Sequence, residues 1–285
     1  MRLIVTADLH ANHARSRPVA DDAIAQINSA KGDVLLLVGD TATADEGQLE
    51  AALSRIHFDG PKLFVAGNHE LWTKRADSHA IFVDQLPARV RALGWHWLES
   101  DPFELDGVAF VGSVGWYDYS YAPESLDVPR RFYEAKVSPG AAEHLTAYQH
   151  LLDEDVTDAA RQIVARWNDA KFVKLGRSDV AFLDQRLAGL RSSLERTKAA
   201  RVIAAVHHVP FRQLLPPRHS GSGPWDFARA YLGSDRLGQV LLDDRRVSHV
   251  FCGHSHFAVR EQIGHLQAIN IGSGYRQKFV LTIDV

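Results

Sequence analysis

The sequence predicts an α/β fold built on a largely parallel or mixed sheet. Two observations carry this expectation. Short, near-continuous apolar runs recur along the chain, as strands buried on both faces require. Several of the stretches between them place apolar residues at helical spacing. The scale follows from 285 residues, 46% hydrophobic and 24% charged, which is enough chain for a substantial core in one large domain or two small ones. A single domain over 1–285 is the expectation.

The first run is 3–7 (Leu-Ile-Val-Thr-Ala) and the second 34–38 (Val-Leu-Leu-Leu-Val). Between them, 19–30 carries Ala20, Ala23, Ile24 and Ile27 at helical spacing. Runs at 63–65 and 108–111 follow. From about 116 to 175 the pattern changes. Trp116, Tyr117, Tyr119 and Tyr121 cluster, prolines stand at 123, 129 and 139, and 140–170 reads as charged helix. This segment is expected to be a helical and aromatic insertion capping the active-site edge of the sheet, with a plain helical crossover as the alternative. Residues 178–194 then place Val180, Leu183, Leu187, Leu190 and Leu194 on one helical face, with Ser178 as the start. The last two runs are 202–206 and 247–251. There is no internal repeat.

Bulk properties exclude some function classes. The formal net charge is −3, so no overall basic signature points to nucleic acid, although a local groove could still serve it. The one cysteine, Cys252, rules out an internal disulfide framework and a Cys-rich zinc site. No apolar stretch reaches the roughly 20 residues of a membrane span, and the opening apolar stretch is too short for a secretory signal. A cytoplasmic protein without membrane partners is therefore expected. Oligomeric state is not legible.

Histidine is unusually abundant, at 15 residues, and its positions are informative. Five apolar runs end in metal-capable side chains: Asp8 and His10 after the first, Asp40 after the second, Asn68-His69-Glu70 after the third, His207-His208 after 202–206, and His254-Ser255-His256 after 247–251. In open α/β sheets the carboxyl edge of the strands is where ligands bind, so parallel strands would bring these loops together. Imidazole, carboxylate and amide donors suit ions such as Zn, Mn and Fe. The set is larger than one ion needs and suits two close together, an arrangement that stabilises attacking and leaving oxygens at phosphorus. Glycines at 39, 67 and 253 permit tight turns and close backbone approach.

Taken in order, Asp8-x-His10, Gly39-Asp40, Gly67-Asn68-His69-Glu70, a lone His207 after a strand and Gly253-His254-x-His256 resemble the motif series of the calcineurin-like metallophosphoesterases. The stretch Asn270-Ile271-Gly272-Ser273 resembles that family's closing strand and turn. The resemblance implies a four-layer α/β/β/α sandwich of two mixed sheets and a binuclear phosphoester hydrolase. It implies that Asp8, His10 and His256 hold one divalent or trivalent ion (Mn, Fe or Zn), that Asn68, His207 and His254 hold a second, and that Asp40 bridges them. His69 matches the catalytic histidine, which contacts phosphate and protonates the leaving group, while a metal-bound hydroxide attacks phosphorus. Glu70 either orients a ligand or starts a helix, with the structural role favoured. His208, next to a ligand on a strand, is expected to pack, and His13 is a candidate for the cleft wall.

The substrate is less legible. Protein Ser/Thr phosphatases of this family carry G-D-x-V-D-R-G, whereas this chain reads Gly39-Asp40-Thr41-Ala42-Thr43-Ala44-Asp45 and lacks that arginine. A small phosphodiester or phosphomonoester, such as a nucleotide or cyclic nucleotide, is the expectation, with a metal-dependent nuclease as alternative and a non-catalytic scaffold behind it. Trp116 and Tyr117, with Tyr119 and Tyr121, could stack a base or pack the segment onto the domain. Asn68 and His13 are further candidate substrate contacts. Arg130, Arg131 and Arg218 are candidates to grip phosphate, with solvated surface charge the favoured alternative for each.

Overall fold

The computed structural model describes residues 1–74, 77–218 and 223–285. Among them eleven strands form two mixed sheets. The first has five strands: β1 (Arg2–Thr6), β2 (Val34–Val38), β3 (Lys62–Val65) and β4 (His96–Trp97) run parallel, and the last strand of the chain, β11 (Leu281–Asp284), pairs antiparallel with β1. The second has six, in the order β5 (Phe103–Leu105), β6 (Val108–Ser113), β7 (Arg201–Val206), β8 (Val247–Cys252), β10 (Leu266–Asn270), β9 (Val259–Ile263). Its centre, β6-β7-β8-β10, is parallel, while β5 and β9 are antiparallel edges. All six apolar runs are strands.

Side-chain alternation sorts each strand between two cores. Leu3, Val5, Leu36, Val38, Leu63 and Val65 meet Phe110, Ile203, Ala205, Phe251 and Ile269 of the other sheet in one buried layer. Their neighbours Ile4, Leu35, Leu37 and Phe64 face outward to Ala23, Ile24 and Ile27 of the helix Arg17–Ser29. On the far side, Ala109, Val111 and Ala204 share a core with Phe182, Leu183, Leu187 and Leu190 of the helix Asp179–Arg196. Helices outside, two sheets within: this is the four-layer α/β/β/α arrangement. Ser178 caps the Asp179–Arg196 helix by accepting from the Ala181 amide. Among the described residues no helix is long and apolar enough to cross a membrane.

Segment 116–175 departs from expectation in one respect. Where 140–170 reads as helix, the chain forms only short turns, Pro139–Glu143, Thr146–Leu151, Asp158–Arg161 and Asp169–Phe172. The reason is a competing backbone pairing across the segment. The Ser138 and Gly140 amides donate to the Ala165 and Ile163 carbonyls at 3.0 Å each, and Ser138 Oγ bonds both Ile163 O and Ala165 N. Those groups are satisfied tertiarily, so no continuous helix is needed to pair them.

Candidate functional site

The carboxyl ends of β1, β2 and β3 in one sheet and of β7 and β8 in the other converge on one edge. Backbone bonds stitch their loops together: Asp8 N donates to Gly39 O (2.9 Å), His10 N to Asp40 O (2.8 Å) and Gly253 N to His207 O (3.1 Å). Close approach is demanded here. A Cβ at residue 67 would lie 2.1 Å from Asp40 Oδ1, and one at residue 253 would lie 2.3 Å from Asp8 Oδ2, so each position accepts only glycine. The donors themselves are bent into place. Asp8, His10, Asp40, His254 and His256 all have positive φ, between 43° and 67°. For non-glycine residues this costs roughly 1–2 kcal/mol each, and such strain concentrates where side chains are aimed for function.

The aimed atoms form two clusters. Asp8, His10 and His256 offer ligand atoms within 4.8 Å of one another, and so do Asp40, His207 and His254. His10, Asp40 and His69 overlap both. His10 Nε2 stands 3.2 Å from His256 Nε2, and His256 Nε2 stands 3.4 Å from Asp8 Oδ1. In the second cluster His207 Nε2 lies 3.3 Å from Asp40 Oδ1 and 3.3 Å from Asn68 Oδ1. Bonds of about 2.1 Å at right angles would set neighbouring ligand atoms about 3 Å apart, so this donor set fits metal ions. The ring orientations agree. His207 Nδ1 donates to the Val38 carbonyl (3.0 Å) and His254 Nε2 to the Tyr231 carbonyl (3.1 Å). Carbonyls only accept, so these bonds leave His207 Nε2 and His254 Nδ1 as the lone pairs facing the cluster.

The electrostatics also match a cation site. Burial alone would raise the Asp40 carboxyl, but His207, His69 and His10 outweigh it and hold Asp40 well below the usual range. Burial draws the His207 imidazole down, yet Asp40 more than compensates and pushes it up to about 9. Asp40 thus favours positive charge at this position, which a metal ion on the Nε2 lone pair would supply in place of a proton. Burial pulls His10 and His254 well below the ordinary histidine value, which favours the neutral, metal-binding form.

Glu70 is more than a helix start. Its buried carboxylate accepts from the amides of Gly67 (2.6 Å), Asp40 (3.0 Å), Thr41 (2.7 Å) and Ala42 (3.2 Å), tying the β2 loop to the β3 loop. His69 donates its backbone N–H to Asp40 Oδ1 (2.9 Å), while its ring stacks on Trp72 with centroids 3.7 Å apart. His208 packs among Trp116, Tyr117 and His254. His13 is exposed; its Nδ1 accepts from the Arg15 amide (3.3 Å) and its ring meets that of Tyr275, which itself stacks on His10 at 4.5 Å.

The base-stacking role of Trp116 and Tyr117 needs correction. Both are fully buried and neither lines the cleft. Trp116 stacks on Tyr117 and its indole N–H donates to Asp179 (2.8 Å); the Tyr117 hydroxyl donates to Asp169 (3.0 Å). Their faces are covered by protein, so the packing alternative is the one the fold adopts. Tyr119 likewise donates to Asp179. Arg130, Arg131 and Arg218 pair with Glu134, Asp155 and Asp226.

Sequence reasoning missed the residues that surround the donors. Trp72 backs His69, Tyr275 covers His10, Lys278 donates to the Asp8 carbonyl, and Asp169 bonds Asn68. It also missed the cleft. A cavity of ≈ 740 Å³ opens from Asp40, Asn68, His69, His254 and His256, between walls that include Trp167, Phe227, Tyr231, Pro216 and Phe257, with Arg166 and Arg229 also facing it. No spacing signal marks these residues, because they gather from distant segments.

The sequence profile of the calcineurin-like phosphoesterases matches residues 1–258. Over 131 residues the chain is 35% identical to the acyl-carrier-protein phosphodiesterase PptH of Mycobacterium tuberculosis, a stretch covering 42% of this chain and 39% of that protein's length. The fold is similar to the crystal structure of phosphopantetheinyl hydrolase PptH from M. tuberculosis, with a TM-score of 0.64 and 19% identity over 96% of this chain and 89% of that one. It is also similar to a dimetal phosphatase from Danio rerio, with a TM-score of 0.50 and 15% identity over 95% and 86% of the two chains. At these identities the structural likeness speaks to fold.

Proposed function

The chain belongs to the calcineurin-like phosphoesterase family, and we propose that within it this metal-dependent phosphoester hydrolase is a phosphodiesterase. The observation that carries the finer reading is the cleft. Its volume of ≈ 740 Å³ and largely apolar walls far exceed what a phosphate group needs and suit a drug-sized organic substituent. Arg166 and Arg229 bring positive charge to the same walls, as an anionic ester requires.

In this reading Asp8, His10 and His256 would hold one ion and Asn68, His207 and His254 the other, with Asp40 within reach of donors from both sets. The pair would supply Lewis acidity at phosphorus and neutralise charge on its oxygens. Everything else falls to the chain. Asp40, fixed by its own amide to Glu70 and by the His69 amide to its carboxylate, sets the spacing of the two clusters. His69 faces the cleft with Nε2 3.8 Å from Asp40 Oδ2. Burial pulls its imidazole below the ordinary value, so at rest the ring is neutral; an anionic ester bound beside it favours uptake of a proton from solvent, and the imidazolium so formed can hydrogen-bond a phosphoryl oxygen and pass that proton to the leaving oxygen, returning to the neutral ring. The apolar walls exclude water from the ester's organic part.

Small phosphodiesters and phosphomonoesters, nucleotides and cyclic nucleotides among them, remain the substrate class. A second reading, hydrolysis of the diester on an acyl carrier protein, is favoured by the 35% identity to PptH over 131 residues. A nuclease ranks behind both, since a formal charge of −3 provides no basic track. The test is a paired assay of a bis-aryl phosphate diester and an aryl phosphate monoester, with Mn, Fe and Zn each supplied to metal-free protein. The expected result is preferential diester turnover. Turnover of neither ester with any metal would overturn the proposal, and release of the prosthetic group from a holo-acyl carrier protein would select the second reading.

A further inference from the structure

Asp169 is fully buried, and its carboxylate takes four hydrogen bonds, two to each oxygen. Oδ1 accepts from Asn68 Nδ2 (3.0 Å) and Trp72 Nε1 (2.7 Å), and Oδ2 accepts from the Tyr117 hydroxyl (3.0 Å) and Trp167 Nε1 (2.8 Å). All four donors are neutral, and among the described residues no ion pair with Lys, Arg or His reaches it. A buried carboxylate held only by neutral donors is an expensive way to stabilise a core, since apolar packing does so without desolvating a charge.

We propose that Asp169 is a positioning residue that orients the Asn68 amide and the His69 ring for the metal centre. The argument for Asn68 is one of polarity. An ionised carboxylate only accepts, so Asn68 must turn its nitrogen toward Asp169. Its oxygen is thereby turned toward His207 Nε2, 3.3 Å away, and oxygen is the amide atom that binds a metal. The argument for His69 is one of packing. The same Asp169 oxygen fixes the indole of Trp72, and the His69 ring lies flat on that indole, with planes 22° apart. A third tie runs through Trp167, which stacks on Tyr231 at 5.2 Å; the Tyr231 carbonyl accepts from His254 Nε2. One carboxylate thus orders three groups that face the proposed ions.

This inference rests on the reading of Asn68 as a metal ligand, and the test separates the two. Mn(II) alone is titrated calorimetrically into metal-free wild type, Asp169→Asn, Asn68→Ala, the double variant and Tyr117→Phe. Asp169→Asn keeps the shape but presents an NH₂ where two donors need an acceptor. It should weaken Mn(II) binding about 10- to 100-fold, the usual cost of losing a partner that orients a ligand. In the Asn68→Ala background the same change should cost clearly less than it does in wild type, the remainder passing through Trp167 and Tyr231 to His254, because residues acting through one another are not additive. Tyr117→Phe removes one of the four donors without altering the fold and should weaken Mn(II) binding about threefold, within the range of a single hydrogen bond. It decides the matter should Asp169→Asn fail to fold. Wild-type affinity in both Asp169→Asn and Tyr117→Phe, or full multiplicative effects in the double variant, would overturn the positioning role while leaving Asn68 a ligand. Unchanged Mn(II) affinity in Asn68→Ala would overturn both.

Discussion

The loops at the strand ends and segment 116–175 both end at Asn68, and they reach it differently. Each donor of the two clusters lies within four residues of the strand that carries it: Asp8 two after Thr6, Asp40 two after Val38, His207 directly after Val206, His254 two after Cys252. The strands are rigid and parallel, so their ends deliver chemistry to one place by register alone. Segment 116–175 has no strand. It delivers Asp169 to Asn68 across 101 positions of sequence, and it does so by burying Trp116, Tyr117, Phe132 and Tyr133 in the main core. The difference is one of task. Strand ends bring the candidate donor atoms together; the packed segment, in the reading proposed above, supplies the surroundings that hold those atoms in one orientation.

The largest expected effect tests the first half of that division. Among the described residues Asp40 is the one carboxylate common to the second cluster and to the overlapping group with His10 and His69. Asp40→Asn should reduce turnover by about 10³-fold or more, since a two-metal centre contributes several kcal/mol and each 1.36 kcal/mol is tenfold. Metal content, read by elemental analysis, should fall with it. Adding Mn(II) at about 100 times its dissociation constant should stabilise wild type by about 2.7 kcal/mol, roughly 5–10 °C in Tm, and should not stabilise Asp40→Asn comparably. An equal thermal shift in the variant would remove Asp40 from the metal centre.

Next in size is His69, which stands on the boundary of the comparison, carried by a strand-end loop yet backed by Trp72 and, through it, by Asp169. His69→Asn should lower kcat about 10²- to 10⁴-fold, the span of positioned proton transfer, while both metals stay bound. Loss of a metal in this variant would show that His69 belongs with the ligands.

The same division explains what was legible in advance. The six apolar runs betrayed the strands because burial on both faces leaves no polar alternation to confuse the reading, and the donors Asp8, His10, Asp40, Asn68, His207, His254 and His256 stood out because each follows such a run. Glu70 was half legible: its place beside His69 was plain, but three of its four backbone partners lie in another loop, 28 to 30 residues before it. Asp169 was not legible at all. It sits between Asn168 and Ala170 in a stretch with no period, and its role exists only once Trp72, Tyr117 and Trp167 have packed around it. The expected helix over 140–170 failed for a related reason, since Ser138 pairs that backbone with itself across the segment. Trp116 and Tyr117 invited a ligand-stacking role because aromatic composition is the same whether a ring faces solvent or core.

The smallest effect divides the aromatic segment itself. Two buried carboxylates gather its aromatic donors, Asp169 inside it and Asp179 at the start of the helix that follows it. Asp169 touches Asn68; Asp179 takes Trp116, Tyr119 and Lys136 and touches none of the proposed ligands. If position relative to Asn68 is what matters, the two hubs must behave differently under similar damage. Trp116→Phe deletes the N–H bonded to Asp179 and leaves a smaller ring stacked on Tyr117, so the Tyr117 hydroxyl keeps its bond to Asp169. The change should cost about 1–3 kcal/mol, from one lost hydrogen bond and a small cavity, or a few degrees in Tm for a chain of this size. Mn(II) affinity should stay within about twofold of wild type, less than the change predicted for the milder Tyr117→Phe. A substitution that destabilises more yet perturbs the metal centre less is the signature of a packing residue. If Trp116→Phe weakens Mn(II) binding as much as Tyr117→Phe does, the segment acts on the site as one block, and the distinction between the Asp169 and Asp179 hubs disappears.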